Sequence, residues 1–241
     1  MEKVFLRRRV GVLFCIVGFL TILSAFAVHF LEPAADTVSL AESARVLIID
    51  PGHGGEDGGA VAPDGTQEAD VNLRIALRLN NLARLCGLDT ALTRSSEHID
   101  YPPEAGTIAA RKVADQKQRV ELINSISNGV LISIHQNFYP TAGPHGAEVL
   151  YARTDHSQEF GSLMHELLVQ SLDRENRRVA APISEDIYLM RNVQCPAVLV
   201  ECGFLSNPQE LERLLDSSYE TQLGLVMLSG YLQSFQTGWN Q

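Results

Sequence analysis

The chain has 241 residues, enough for one substantial globular domain and an appendage. Its composition, 45% hydrophobic and 20% charged, is that of a folded protein, and no low-complexity tract interrupts it. The net charge is −10, and four of the 19 basic residues (Lys3, Arg7, Arg8 and Arg9) precede the first apolar run, so the rest of the chain is more acidic still. That balance argues against a nucleic-acid partner, which needs a basic stripe.

Residues 10–31, VGVLFCIVGFLTILSAFAVHFL, are overwhelmingly apolar and carry no Asp, Glu, Lys or Arg. About 20 such residues, as a helix, match a hydrocarbon core of ~30 Å. The arginines ahead of them keep that end in the cytoplasm and send the remainder outside. Ala25-Phe26-Ala27 has the small-x-small form of a signal cleavage site. Apolar character runs on through Phe30 and Leu31, which favours an uncleaved membrane anchor over a cleaved signal. Residues 32–44 (EPAADTVSLAESA) are small, polar and acidic and read as a linker to a body spanning 45–236.

In the body, short β-rich runs alternate with helical patterns. VLII (46–49) is a strand ending at Asp50 and a glycine-dense loop. Val71, Ile75, Leu79, Leu82 and Cys86 form a helical stripe, and Gly87 supplies its C-terminal cap. TALT (90–93) is a strand, and 108–126 is a charge-rich amphipathic helix closed by Asn128-Gly129. VLISI (130–134), AEVLY (147–151), IYLM (187–190) and AVLV (197–200) are further strands; 157–172, 208–215 and 219–235 are helices. Strands separated by single helices predict an α/β three-layer sandwich with a largely parallel central sheet.

Ligands of such sheets sit beyond the carboxyl ends of the strands. His53, His135 and Glu201 each follow a strand there, after 46–49, 130–134 and 197–200. Taken singly, His53 is as easily an incidental loop residue and His135 a satisfied core histidine. Two histidines arriving at two strand ends point instead to a shared metal. Catalytic zinc takes three protein ligands and a water, and two histidines with one carboxylate form a standard set. Glu68, which opens the helical segment 68–86, is the candidate third ligand; Asp70 beside it reads as an N-terminal charge favoured by the helix dipole. Glu201 follows the most apolar strand, where a carboxylate is expensive unless it faces a cleft or metal. It reads as a general base, with a fourth ligand or a salt-bridged core acid as alternatives. Asp50 and Asp57 are candidates to orient the histidines or to cap the loop. Cys86, Cys195 and Cys202 lack metal-site spacing and read as small buried hydrophobes, with a disulfide from Cys86 to either of the others left open.

VLIIDPGHGGEDGGA (46–60), EADVNL (68–73), LTR (92–94), SIHQN (133–137) and PAVLVECGFLSNPQE (196–210) resemble the zinc N-acetylmuramoyl-L-alanine amidases of the amidase-3 type. The resemblance implies one zinc per chain on His53, Glu68 and His135, with Glu201 catalytic. It also implies cleavage of the amide between N-acetylmuramic acid and L-alanine in peptidoglycan. The segment containing Arg111-Lys112-x-x-Asp115, with Asn176-Arg177 and 187–190, is similar to the germination-specific subgroup. That finer match implies spore-cortex peptidoglycan and a step towards muramic-δ-lactam. Ala69, Gln136 and Phe138 depart from the family pattern and touch the groove more than the metal. Asn137 and Arg191 are candidate substrate contacts. A vegetative wall amidase, a zinc carboxypeptidase or aminopeptidase, and a non-catalytic wall-binding module are the other readings. No wall-binding repeat is visible, so targeting falls to the anchor, the groove or an accessory exported protein.

Overall fold

A computed structural model of the protein describes residues 45–235. The predicted membrane segment and linker lie outside the described residues, among which no helix is long and apolar enough to cross a membrane.

Six strands form one sheet: β1 (Val46–Pro51), β2 (Thr90–Leu92), β3 (Gly129–Asn137), β4 (Glu148–Tyr151), β5 (Ala181–Pro182) and β6 (Ala197–Phe204). Their order is β2-β1-β3-β6-β4-β5. β1 runs parallel to β2 and β3, β3 to β6, and β4 to β5, while β4 is antiparallel to β6. The six described helices of more than one turn are α1 (Glu68–Leu85), α2 (Ile108–Asn124), α3 (Ser157–Leu172), α4 (Tyr188–Asn192), α5 (Pro208–Leu214) and α6 (Ser217–Ser234). This is the expected sandwich, with one antiparallel neighbour in an otherwise parallel sheet.

The strands' two-residue period sorts their side chains between two apolar layers. Leu47, Ile49, Val130, Ile132, Ile134, Val198 and Val200 pack with Val71, Ile75 and Leu79 of α1, Phe160 and Met164 of α3, and Met227 and Tyr231 of α6. Ile48, Leu131, Ala197 and Leu199 face the other way, against Ile123 of α2 and Leu189 and Met190 of α4. The same alternation, continued one step along each strand, puts Asp50, Ser133, His135 and Glu201 on the α2/α4 face.

Helix ends follow local chemistry. Thr107 caps α2 by accepting from the Ala110 N–H, and Asn207 and Asp216 do the same for α5 and α6. Gly87, at φ +75, takes the left-handed turn after α1 that its cap requires. The segment 187–190, expected as a strand, instead supplies the extended N-cap residue, Ile187, and the first three residues of the short helix α4. Leu189, Met190 and Val193 all bury in one cluster, a helical spacing that a strand's alternation would have split between two faces. The two-residue β5, with Pro182 at the sheet edge, carries too little sequence pattern to read.

Candidate metal centre

Parallel β1, β3 and β6 bring their carboxyl ends to one edge, with Pro51 beside Ile134 and His135 beside Glu201 in register. β3 and β6 run further than expected, so His135 and Glu201 lie within their last turns of pairing rather than after them. The register shifts between His135 and Asn137, an irregularity of the kind that re-aims side chains. His53 sits in the loop after β1, and Glu68 is the first residue of α1.

His53, Glu68 and His135 converge, with one ligand atom from each lying within 4.8 Å of the others. His53 Nε2 is 3.3 Å from Glu68 Oε2, and His135 Nδ1 is 2.9 Å from Glu68 Oε1. Two ligands held ~2.1 Å from a zinc at the tetrahedral angle stand roughly 3.4 Å apart, so this spacing fits one ion. The imidazoles meet edge to face, their centroids 5.0 Å apart. Glu68 is buried and oriented by three further donors: the backbone N–H groups of Ala60 and Gln136 and the Asn72 side-chain amide. Burial opposes its ionisation, but the two histidines overcome this and hold its pKa well below the usual carboxylate range. The trio is therefore an anionic carboxylate between two imidazoles, a donor set suited to a divalent ion.

The outer nitrogen of His53 is fixed as well. Its Nδ1–H donates to Asp57 Oδ2 at 2.9 Å, which leaves Nε2 turned towards Glu68. Asp57 also meets Lys112 Nζ at 2.8 Å, and the hydrogen bond from His53 is the first cause of its lowered pKa. Asp50 does not touch either histidine. It accepts from Thr93, Ser133 and Arg119 at 2.6, 2.6 and 2.8 Å. Burial works against its charge, yet Arg119 and the two hydroxyls hold its pKa at about 2. Its task is to anchor the base of the loop.

Glu201 stands beside His135 on the neighbouring strand, and its Oε2 is buried without a hydrogen-bond partner. Burial pushes its pKa up to about 7; His135 opposes that shift, and the nearby Glu68 and Glu148 carboxylates reinforce it. A carboxyl in that state can hold or release a proton near neutrality. The cleft has a volume of about 530 Å³ and is lined by Lys112, Gln116 and Arg119 of α2 and by Tyr188, Leu189 and Met190 of α4. Asn137 lines it and donates to Glu148 at 3.3 Å. Arg191 is exposed, one turn along α4, with its guanidinium over Tyr188 and bonded to the Glu185 carbonyl.

Lys112, Asp115, Gln116 and Arg119 were not singled out as site residues from sequence. Their spacing puts them on one face of α2, and that face, not an apolar one, meets the site; a charged stripe at helical spacing was the available signal. Cys86, Cys195 and Cys202 are free thiols, the last two buried, which leaves no disulfide among them.

The family profile described as N-acetylmuramoyl-L-alanine amidase matches residues 47–230. The germination-specific N-acetylmuramoyl-L-alanine amidase of Bacillus subtilis (strain 168) is 34% identical over 234 residues, covering 95% of this chain and 97% of that protein. The CwlD amidase from Clostridioides difficile, solved in complex with the GerS lipoprotein, superposes with a TM-score of 0.76 at 32% identity, covering 80% of this chain and 98% of that one. The catalytic domain of the amidase CwlV from Bacillus (Paenibacillus) polymyxa var. colistinus gives 0.66 at 27% identity over 80% and 98% of the two chains. With its fold, its converging His53, Glu68 and His135, and a profile match over most of its length, this chain belongs to the N-acetylmuramoyl-L-alanine amidase family of the amidase-3 type.

Proposed function

We propose that this protein is a zinc-dependent amidase of spore-cortex peptidoglycan, with His53, Glu68 and His135 as the zinc ligands and Glu201 as the catalytic acid–base. The observation that carries this reading is the trio of donors within 4.8 Å, faced by a buried carboxylate whose Oε2 has no partner. Zinc, when bound, supplies Lewis acidity that polarises a carbonyl and makes water a stronger acid. Three protein ligands leave a position open for chemistry, so Glu201 serves better as proton carrier than as a fourth ligand.

The bond cleaved joins the lactyl carboxyl of N-acetylmuramic acid to the nitrogen of L-alanine. Glu201 takes a proton from the attacking water at Oε2 as oxygen bonds to the carbonyl carbon. It returns that proton to the alanine nitrogen as the C–N bond breaks, giving a free carboxylate and a free amine. Asp57 holds the His53 ring in the tautomer that presents Nε2, and Asn72 and two backbone N–H groups aim Glu68. Asn137, which lines the cleft, and Arg191, exposed on α4 outside the cleft lining, are the proposed substrate contacts.

The cortex assignment rests on the similarity to the germination-specific enzyme along nearly the full length of both chains. An accessory exported protein is proposed by analogy with the relative solved with a lipoprotein. The chain is divided into an anchor or signal at 1–31, a linker at 32–44 and a catalytic body at 45–236, and works outside the cytoplasm.

Digestion of purified cortex peptidoglycan followed by mass spectrometry tests the reading. Intact stem peptides with a free L-alanine amine are expected, with release abolished by a chelator and restored by zinc. Trimmed stem peptides would instead identify a carboxypeptidase or aminopeptidase.

A further inference from the structure

His53 has a left-handed backbone, φ +59, and is not a glycine. Such a conformation is strained for a residue with a Cβ and persists only where its surroundings over-determine it. Those surroundings are two buried arginines. Arg119, 5% exposed, donates from Nη2 to the His53 carbonyl at 2.6 Å and from Nη1 to the Pro51 carbonyl at 2.7 Å. Arg94, 7% exposed, donates from Nε to the Pro51 carbonyl at 2.9 Å and from Nη2 to the Gly52 carbonyl at 3.0 Å. The same Nη2 reaches the carbonyl of Ala69, next to Glu68, at 2.9 Å. Three successive carbonyls of the His53 loop are thus bound by two guanidinium forks, one of which also grips the helix that starts with Glu68.

We infer that Arg94 and Arg119 form a brace of positioning residues that fixes His53 relative to Glu68 and so sets the affinity for the metal ion. This rests on the metal reading of the trio given above. Electrostatics alone would assign the arginines the opposite effect. Two buried cations beside a divalent site repel the ion, so deleting one charge should tighten metal binding. Asp50 and Asp115 offset part of that repulsion: Asp50 meets Arg119 Nη1 at 2.8 Å, and both Asp115 oxygens meet its Nε at 3.0 Å. The carbonyl grip, by contrast, needs the planar fork, which neither lysine nor methionine can reproduce. The brace and the charge therefore predict opposite signs.

Zinc dissociation constants of the full-length protein, measured by competition with a chromophoric chelator, test this directly. Arg119→Met, Arg119→Lys and Arg94→Lys should each weaken zinc binding by about 10- to 100-fold, as expected for partners that orient a metal ligand. Affinity equal to or tighter than that of the unaltered protein in folded variants would overturn the brace. Arg78→Met serves as the structural control. It breaks a 2.7 Å pair with buried Glu220 between α1 and α6, and should lower thermal stability without moving zinc affinity. Should the Arg119 variants fail to fold, Arg94→Lys decides, because it keeps the positive charge while removing the fork that holds the Pro51, Gly52 and Ala69 carbonyls. Charge alone then predicts no change and the brace predicts about 10-fold weaker zinc binding; unchanged affinity overturns the proposal. Absence of zinc binding by the unaltered protein would overturn the metal reading itself, and the brace with it.

Discussion

At the scale of residues, the site is held by contacts that tolerate little change. Gly52 is one case, because a Cβ there would lie 2.2 Å from His135 Nε2, where no real contact is found. The strand edge and the imidazole occupy the same space unless residue 52 has no side chain. Gly52→Ala should therefore displace His135 and reduce zinc affinity at least 10-fold, with activity falling in proportion. A zinc titration of that variant, beside its circular dichroism spectrum, checks the outcome. Binding as tight as in the unaltered protein would show that His135 does not contribute a ligand. The candidate trio itself was legible in the sequence only jointly: neither histidine outweighs an ordinary structural role, and only their shared arrival at strand ends brings a metal into view. Arg94 and Arg119 were illegible for another reason. Their hydrogen bonds to the His53 loop go to backbone carbonyls 42 to 68 positions away, and no side-chain pattern in sequence records such partners.

At the scale of elements, the helical layer on one face is pinned by a charge fork. Glu220, in the first turn of α6, is buried and accepts from Arg74 and Arg78 of α1, each at 2.7 Å. Removing one partner of a buried pair strands the others' charges; because both arginines are partly exposed, the cost should be about 2 kcal/mol, below the range for fully buried pairs. Glu220→Gln should lower the melting temperature by roughly 5 °C, scaled to a body of this size. Thermal unfolding measures it, and a shift under one degree would remove Glu220 as a structural anchor. Most elements follow from periodicity, since the long helices and the apolar strands bury regular faces. α4 does not. IYLM is apolar and four residues long, which fits a strand or one turn of helix equally; only the burial of Leu189, Met190 and Val193 together decides it. The distinction matters, because Tyr188, Leu189 and Met190 of α4 line the cleft together with α2.

At the scale of the whole molecule, function follows from where the strand phase and the sheet edge meet. One more residue of alternation on β1, β3 and β6 turns Asp50, His135 and Glu201 towards the α2/α4 face, and β-loop and helix starts deliver His53 and Glu68 to the same edge. The three-layer architecture was legible because single helices separate the strands, whereas the antiparallel β4–β6 pairing depends on a connection whose route no local pattern specifies. The central claim is that metal binding and proton transfer are carried by separate groups on this edge. Glu201→Gln separates them, since the amide cannot carry the proton and the three metal donors are untouched. Zinc content and cortex-peptide release should be measured together on the full-length variant. The account predicts one zinc per chain, as in the unaltered protein, with release slowed by about 10²- to 10⁴-fold. Loss of zinc in that variant, or release at the unaltered rate, would contradict it.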